Sequence, residues 1–133
     1  MTPSLCRQKR FSMADRPVPR RGEIWIVDFN PGRGSEQLGK RPALVLQNDV
    51  GNENPRYPNT VVLAMSTPGK PVPFHIEIQP NRQNALRRVT YVKCEQILTI
   101  SKARLLGPNA LGKLPPADMQ KVEAAVKLSL ALP

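Results

Sequence analysis

The sequence predicts a mainly β fold, a small barrel of five or six short strands carrying a helix at its C-terminal end. Three observations predict it. Short β-branched and aromatic runs recur between turn signals. Fifteen prolines interrupt the 133 residues too often for a bundle of long helices. Only the last stretch repeats apolar residues at helical spacing over several turns.

The first strand is 23–29 (EIWIVDF), with Trp25, Val27 and Phe29 on one face and Ile24 and Ile26 on the other. Two largely apolar faces suit a strand buried on both sides, as in a small barrel. NPGRG then breaks it. Residues 42–48 (PALVLQN) form the second strand, where Pro42 at the first position costs no ladder hydrogen bond. DVGNENPRYPN (49–59) reads as a loop. The third strand is 60–65 (TVVLAM), ended by STPGKPVP. In 74–79 (FHIEIQ), Phe74, Ile76 and Ile78 alternate with His75, Glu77 and Gln79, so one face is wet and His75 is a solvated strand histidine. Residues 88–93 and 95–100 read as a fifth and a sixth strand. SKARLL (101–106) opens on a serine cap and predicts one helical turn or a short helix. The terminal helix spans 115–132, with proline in its first turn and Met119, Val122, Val126 and Leu130 at helical spacing.

A chain of this size is one domain and can bury a core without disulfides or metal. No apolar run is long enough to cross a bilayer, and the basic N-terminus lacks the apolar stretch of a secretory signal. Cys6 and Cys94 form no disulfide or zinc pattern, so a soluble intracellular protein is expected. The net charge of +10 points to a polyanionic partner. Half of it comes from the first 21 residues, where six cations face only Asp15, so the body is moderately basic. Residues 1–19 are therefore expected to be a disordered basic leader, and 20–133 the folded domain. The leader is either dispensable sequence before a start at Met13, or an arm that adds phosphate affinity through counterion release.

The chemistry open to the chain is narrow. One histidine, two distant cysteines and ten scattered acids offer no metal-ligand spacing. A catalytic triad fails for want of a partnered imidazole, and Gly32 and Gly34 are followed by no phosphate-loop lysine. What remains is the cluster Glu36, Gln37, Lys40 and Arg41, with the polar step Ser66-Thr67 at the end of the third strand. A solvated hairpin and a strand terminator would also account for these. Yet the set suffices to cleave RNA without a metal, because the substrate's own 2′-OH attacks the phosphorus. An arginine stabilises the nonbridging oxygens, a serine hydroxyl adds a donor, and a carboxylate such as Glu36 acts as base or orients the guanidinium.

RRGEIWIVDFNPGRGSEQLGKRPALVLQND resembles the opening of the MazF/PemK toxin family, the endoribonucleases of bacterial toxin–antitoxin pairs. The resemblance continues through TVVLAMST, PFHIEI, CEQILTISKARL and the final helix, covering about residues 20–131. QNDVGN and EQILTI are most similar to the branch found in Gram-positive bacteria. The resemblance implies an SH3-like barrel of five to seven strands with a C-terminal helix, forming a cytoplasmic homodimer without metal or other cofactor. It implies cleavage of single-stranded RNA at a short, ACA-containing site, leaving a 2′,3′-cyclic phosphate and a 5′-hydroxyl. The implied partners are RNA, a MazE-like antitoxin whose acidic C-terminal tail fills the RNA groove, and operator DNA reached through that antitoxin; no membrane is implied.

By position, Arg41 matches the family's catalytic arginine in Gly-x-Arg-Pro. Ser66 stands where the family usually has a catalytic threonine, and Thr67 takes that place if the alignment shifts by one. Ser35, Glu36 and Gln37 match the loop over the RNA, while Asn48, Thr67 and Gln96 match polar positions near the bases. His75 matches no catalytic role. Two other classes stay open on the sequence. An inert nucleic-acid-binding barrel would bind RNA and leave it intact, but aromatics are only 5% and offer a weak stacking platform. A peptide-binding SH3-like module would need exposed aromatics lining a groove.

Overall fold

The computed structural model describes residues 17–30 and 39–133. The expected disorder of the leader and the roles of Ser35, Glu36 and Gln37 fall on 1–16 and 31–38, outside the described residues. Seven strands make one sheet: β1 (Glu23–Asp28), β2 (Lys40–Val45), β3 (Asn59–Ser66), β4 (His75–Ile78), β5 (Thr90–Ser101), β6 (Leu105–Leu106) and β7 (Gly112–Lys113). A short helix α1 (Asp49–Glu53), a 3-10 turn (Lys102–Arg104) and the terminal helix α2 (Pro116–Ser129) complete the described elements. The order across the sheet is β4-β5-β3-β2-β1-β6, with β7 also pairing to β1, and every pairing is antiparallel. The predicted mainly β fold with a C-terminal helix is the observed one.

Strand alternation sorts the apolar side chains into two clusters. Ile24, Leu44, Leu63, Met65, Ile78 and Val92 gather on one face and are covered by Met119, Val122 and Ala125 of α2. Trp25, Val27, Phe29, Ala43, Val45, Val62, Ile100 and Leu105 gather on the other. β1 feeds both clusters, as its two apolar faces predict. Removing a side chain such as Leu63, fully buried, costs about 2–5 kcal/mol at a site of this kind.

Several sequence expectations are corrected. The fifth and sixth strands are one strand, β5, bent by a bulge. Between the pairs Leu63↔Ile97 and Met65↔Val92, β3 advances two residues while β5 advances five. The bulge is held by tertiary contacts: the Cys94 N–H donates to the Phe74 carbonyl (2.9 Å), and the Ser129 hydroxyl of α2 is shared between the Cys94 carbonyl (3.1 Å) and the Val126 carbonyl of its own helix (2.9 Å). Nothing within KCEQ itself marks that bend. Residues 49–53 are helical because Asn48 caps them, its Oδ1 accepting the Gly51 N–H at 2.9 Å. SKARLL splits, as Ser101 caps the predicted turn (Lys102–Arg104) while Leu105 and Leu106 become β6 against β1. Leu130 lies beyond α2 and is exposed, while Ala125 is buried with Met119 and Val122.

His75 is also corrected. Its side chain is only 5% exposed. Nδ1 accepts the Lys70 N–H (3.2 Å), so Nε2 carries the proton and donates to Glu95 Oε2 at 2.9 Å. A histidine on a formally polar face is thus locked by a loop and a neighbouring strand that the alternation pattern does not report.

Candidate active site

The site is built where β1, β2, β3 and β5 share one end. The stem of the β1–β2 loop is pinned there. The Phe29 N–H donates to the Gly39 carbonyl (2.9 Å), and the Gly39 N–H donates to Asn30 Oδ1 (3.0 Å). Gly39 has φ +76, a conformation that disfavours any side chain. Arg104 Nη1 donates to the Asp28 carbonyl (2.8 Å) and to that of Asn30. The described residues on either side of 31–38, Asn30 and Gly39, are therefore fixed to the sheet.

Arg41 follows immediately, paired with Val27. Pro42 is the third residue of β2 rather than the first, opposite Ile26. It offers no N–H, and the ladder between β2 and β3 stops next to it at Ala43↔Ala64. Continued by two residues, that register sets Arg41 opposite Ser66. Ser66 in turn pairs with Tyr91, and Tyr91 with Glu77. Paired residues share a face, so one rung of the sheet reads Glu77, Tyr91, Ser66, Arg41, Val27. It starts polar and ends in the second apolar cluster. Two residues 25 apart in sequence thus stand at neighbouring strand ends, just past the last ladder pair.

The hydroxyl of Ser66 donates to the Pro68 carbonyl at 2.9 Å, and the residue is 8% exposed. To reach a phosphate oxygen it must rotate away from that carbonyl. Thr67 is exposed and no longer in the strand. The following turn lies directly on Tyr91: a Cβ added to Gly69 would stand 2.2 Å from the ring. Only glycine fits there, so Tyr91 acts as a floor for the segment that carries Ser66. Sequence reading missed both Tyr91 and Glu77, which look like ordinary strand residues until the register sets them beside Ser66.

The other expected site residues divide. Gln96 is half-buried within the β5 bulge, near the level of Ala64 and so close to this end. Asn48 lies beyond the opposite end of β2 and caps α1, so the structure does not bring it to Arg41 and Ser66. Two shifted groups lie apart from the rung. Cys94 is fully buried, and that burial, aided by the Glu95 charge, pushes its thiol up to about 12, making it a poor nucleophile. Asp49 is held below the usual carboxylate range, chiefly by the Arg21 N–H that donates to it at 2.7 Å.

Comparison with known proteins matches this architecture. Residues 20–130 match the family model of the PemK-like, MazF-like toxin of type II toxin-antitoxin systems. The chain is 38% identical over 118 residues to endoribonuclease EndoA of Bacillus subtilis, covering 86% of this chain and 97% of that protein. It is 37% identical over 116 residues to endoribonuclease MazF of Staphylococcus epidermidis, covering 85% and 92%. Among solved structures, a mycobacterial endoribonuclease in complex with its cognate antitoxin superposes with a TM-score of 0.69 at 26% identity, covering 86% of this chain and 97% of that one. MazF from Deinococcus radiodurans, at 23% identity, shares the fold with a TM-score of 0.70, covering 86% and 98%. With the family model spanning nearly all of the folded chain, this protein belongs to the PemK-like, MazF-like toxins of type II toxin–antitoxin systems.

Proposed function

We propose that the chain is a sequence-specific, metal-independent endoribonuclease that cuts single-stranded RNA and arrests translation as the toxin of a toxin–antitoxin pair. The observation that carries this reading is the alignment of Arg41 with Ser66 where the β2–β3 ladder ends, beside the rigid stem of the Glu36 loop. The 2′-OH attacks the adjacent phosphorus, the bond to the 5′-oxygen breaks, and a 2′,3′-cyclic phosphate and a 5′-hydroxyl remain. Arg41 stabilises the charge gathering on the nonbridging oxygens, its planar fork suiting a phosphate. Ser66 supplies a second donor after leaving the Pro68 carbonyl, with Thr67 the alternative. Glu36 is the base or the orienter of Arg41, and Ser35, Gln37 and Gln96 contact the RNA at a short site containing ACA. The working unit is a cytoplasmic homodimer of the domain 20–133, restrained by an antitoxin with an acidic tail and carried to operator DNA through it. The B. subtilis and S. epidermidis relatives, named as endoribonucleases, support the activity.

The test is cleavage of a long mixed-sequence RNA in EDTA, with Arg41→Ala alongside and the product 5′ ends mapped. Discrete cuts sharing a motif and absent from the variant are expected. Intact RNA beside a folded protein that still binds it would favour the second reading, an inert binding barrel. The Ser66 hydroxyl, turned onto the Pro68 carbonyl, is the observation that favours that reading.

A further inference from the structure

We infer that the loop joining β4 to β5 (79–89) is a second phosphate-binding element, in which Arg82, Arg87 and Arg88 hold RNA nucleotides flanking the scissile bond. This rests on the endoribonuclease reading above. Three observations carry it: where the loop lies relative to the Arg41–Ser66 pair, its charge, and its preorganisation.

The first is place. β4 ends and β5 begins at Ile78↔Thr90, one step from Tyr91, the strand partner of Ser66. Arg88 precedes Tyr91 by three residues, about 10 Å of extended chain. A strand of RNA lying across Arg41 and Ser66 therefore passes the loop if it continues toward β5.

The second is charge without a counter-charge. Arg82, Arg87 and Arg88 are exposed, and 79–89 contains no Asp or Glu. The described ion pairs are Arg20–Glu53, Arg21–Glu123 and His75–Glu95, so none involves these three arginines. The contrast with Arg20 and Arg21 matters, since those cations near the start of the domain already have carboxylate partners. Leu86 turns inward and packs on the first apolar cluster, so it does not compete for the outer surface. A polyanion fits such a surface better than an apolar peptide.

The third is preorganisation. Asn84 is fully buried at the centre of the loop. Its Oδ1 accepts the N–H groups of Asn81 and Leu86 (both 3.0 Å), its Nδ2 donates to the Gln79 carbonyl (2.9 Å), and its own N–H donates to Asn81 Oδ1 (2.8 Å). From below, the Lys113 N–H donates to the Gln83 carbonyl at 2.8 Å. A Cβ on Gly112 would stand 2.4 Å from the Asn84 backbone, so β7 lies flush against the loop. Arginines on a fixed base lose less freedom on binding phosphate than arginines on a floppy one.

The experiment compares the wild-type protein with a triple variant, Arg82→Gln, Arg87→Gln and Arg88→Gln. Two RNAs are used: one just long enough to be cut, and one extended on both sides. On the extended RNA the variant is expected to keep its kcat while KM rises about tenfold. Three lost phosphate contacts should also flatten the slope of log(kcat/KM) against log salt by about 2. On the short RNA the two proteins should agree, and lysine at the three positions should restore the salt slope. Equal KM and equal slope on the extended RNA, with wild-type cleavage intact, would overturn the inference and leave the endoribonuclease reading standing. Unchanged RNA kinetics with lost binding of an acidic peptide would overturn it in favour of peptide docking. A wild-type protein that neither cuts nor binds either RNA would remove the endoribonuclease reading and the inference together.

Discussion

The two ends of the β2–β3 pair are both rich in polar residues and differ in what those residues do. At the end where β2 leaves and β3 enters, the polar groups satisfy one another. Gln47 Nε2 donates to Asn52 Oδ1 (3.0 Å), Asn52 Nδ2 to the Gln47 carbonyl (2.9 Å), and the Thr60 hydroxyl to Asn52 Oδ1 (2.8 Å). The buried Lys102 ammonium donates to the carbonyls of Gly51 and Asn54 at 3.0 and 3.1 Å, closing the C-terminal end of α1. At the other end, Arg41, Thr67 and Glu77 are exposed, beside a ladder that stops short. A closed network lowers the cost of burial and fixes a loop; an exposed rung presents its side chains to a substrate. Polarity alone does not tell the two apart.

The largest effect that would sharpen this contrast is Arg41→Ala at the open end. It should cut the rate by a factor on the order of 10² to 10³, about 3–4 kcal/mol of transition-state stabilisation. The urea midpoint should barely move, since an exposed side chain contributes little to folding. A large loss of stability with activity per folded molecule intact would reverse the roles of the two ends.

Asn52→Ala should do the opposite at the closed end. It leaves buried partners of Gln47 and Thr60 unsatisfied and should cost about 2–3 kcal/mol, read by urea denaturation. Cleavage per folded molecule should stay within about twofold, well short of a single lost hydrogen bond at the site. A catalytic defect in a stably folded Asn52→Ala protein would mean that α1 and its cap Asn48 belong to the RNA site after all.

A smaller effect separates Ser66 from Thr67. Ser66→Ala should slow cleavage by about three- to tenfold, the scale of one neutral hydrogen bond. Ser66→Thr should hold or raise the rate, because branching at Cβ restricts the hydroxyl's rotamers. If Thr67→Ala does more harm than Ser66→Ala, the donor is the exposed residue and the rung is displaced by one position.

The smallest effect is electrostatic. The Asp49 carboxylate accepts the Arg21 N–H and is held below its ordinary range. Its contribution is therefore present above the unfolded carboxylate value and lost as the pH falls through the lowered folded one. Asp49→Asn should cost less than about 1 kcal/mol at pH 6, because the group is exposed and screened. The gap between the two proteins' urea midpoints should close in strong acid, and a gap independent of pH would show that the hydrogen bond matters and the charge does not.

Much of this molecule was legible in its sequence, because a strand side-chain period of two and a helix period near 3.6 are properties of the local chain. Alternation identified both faces of β1, the positions of β2 to β4 and the helix that covers the first cluster. The motif around Arg41-Pro42 and the polar step at Ser66 marked the residues of the candidate site one by one. What local periodicity does not contain is which strand lies beside which. The β5 bulge is held by Phe74 and Ser129, β6 and β7 exist only because β1 offers them hydrogen bonds, and His75 is locked by Lys70 and Glu95. Asn48 reads as a site residue in the sequence and caps α1 in the structure, and an amide that binds a base and one that satisfies a helix N–H have the same local sequence. The sequence by itself determined the inventory: short strands, one long helix, and an arginine and a hydroxyl able to act on a phosphate. Only the tertiary structure decided their juxtaposition. Register is a relation between strands distant in the chain, and it set Arg41, Ser66 and Tyr91 on one rung while burying Asn52, Thr60 and Lys102 at the other end.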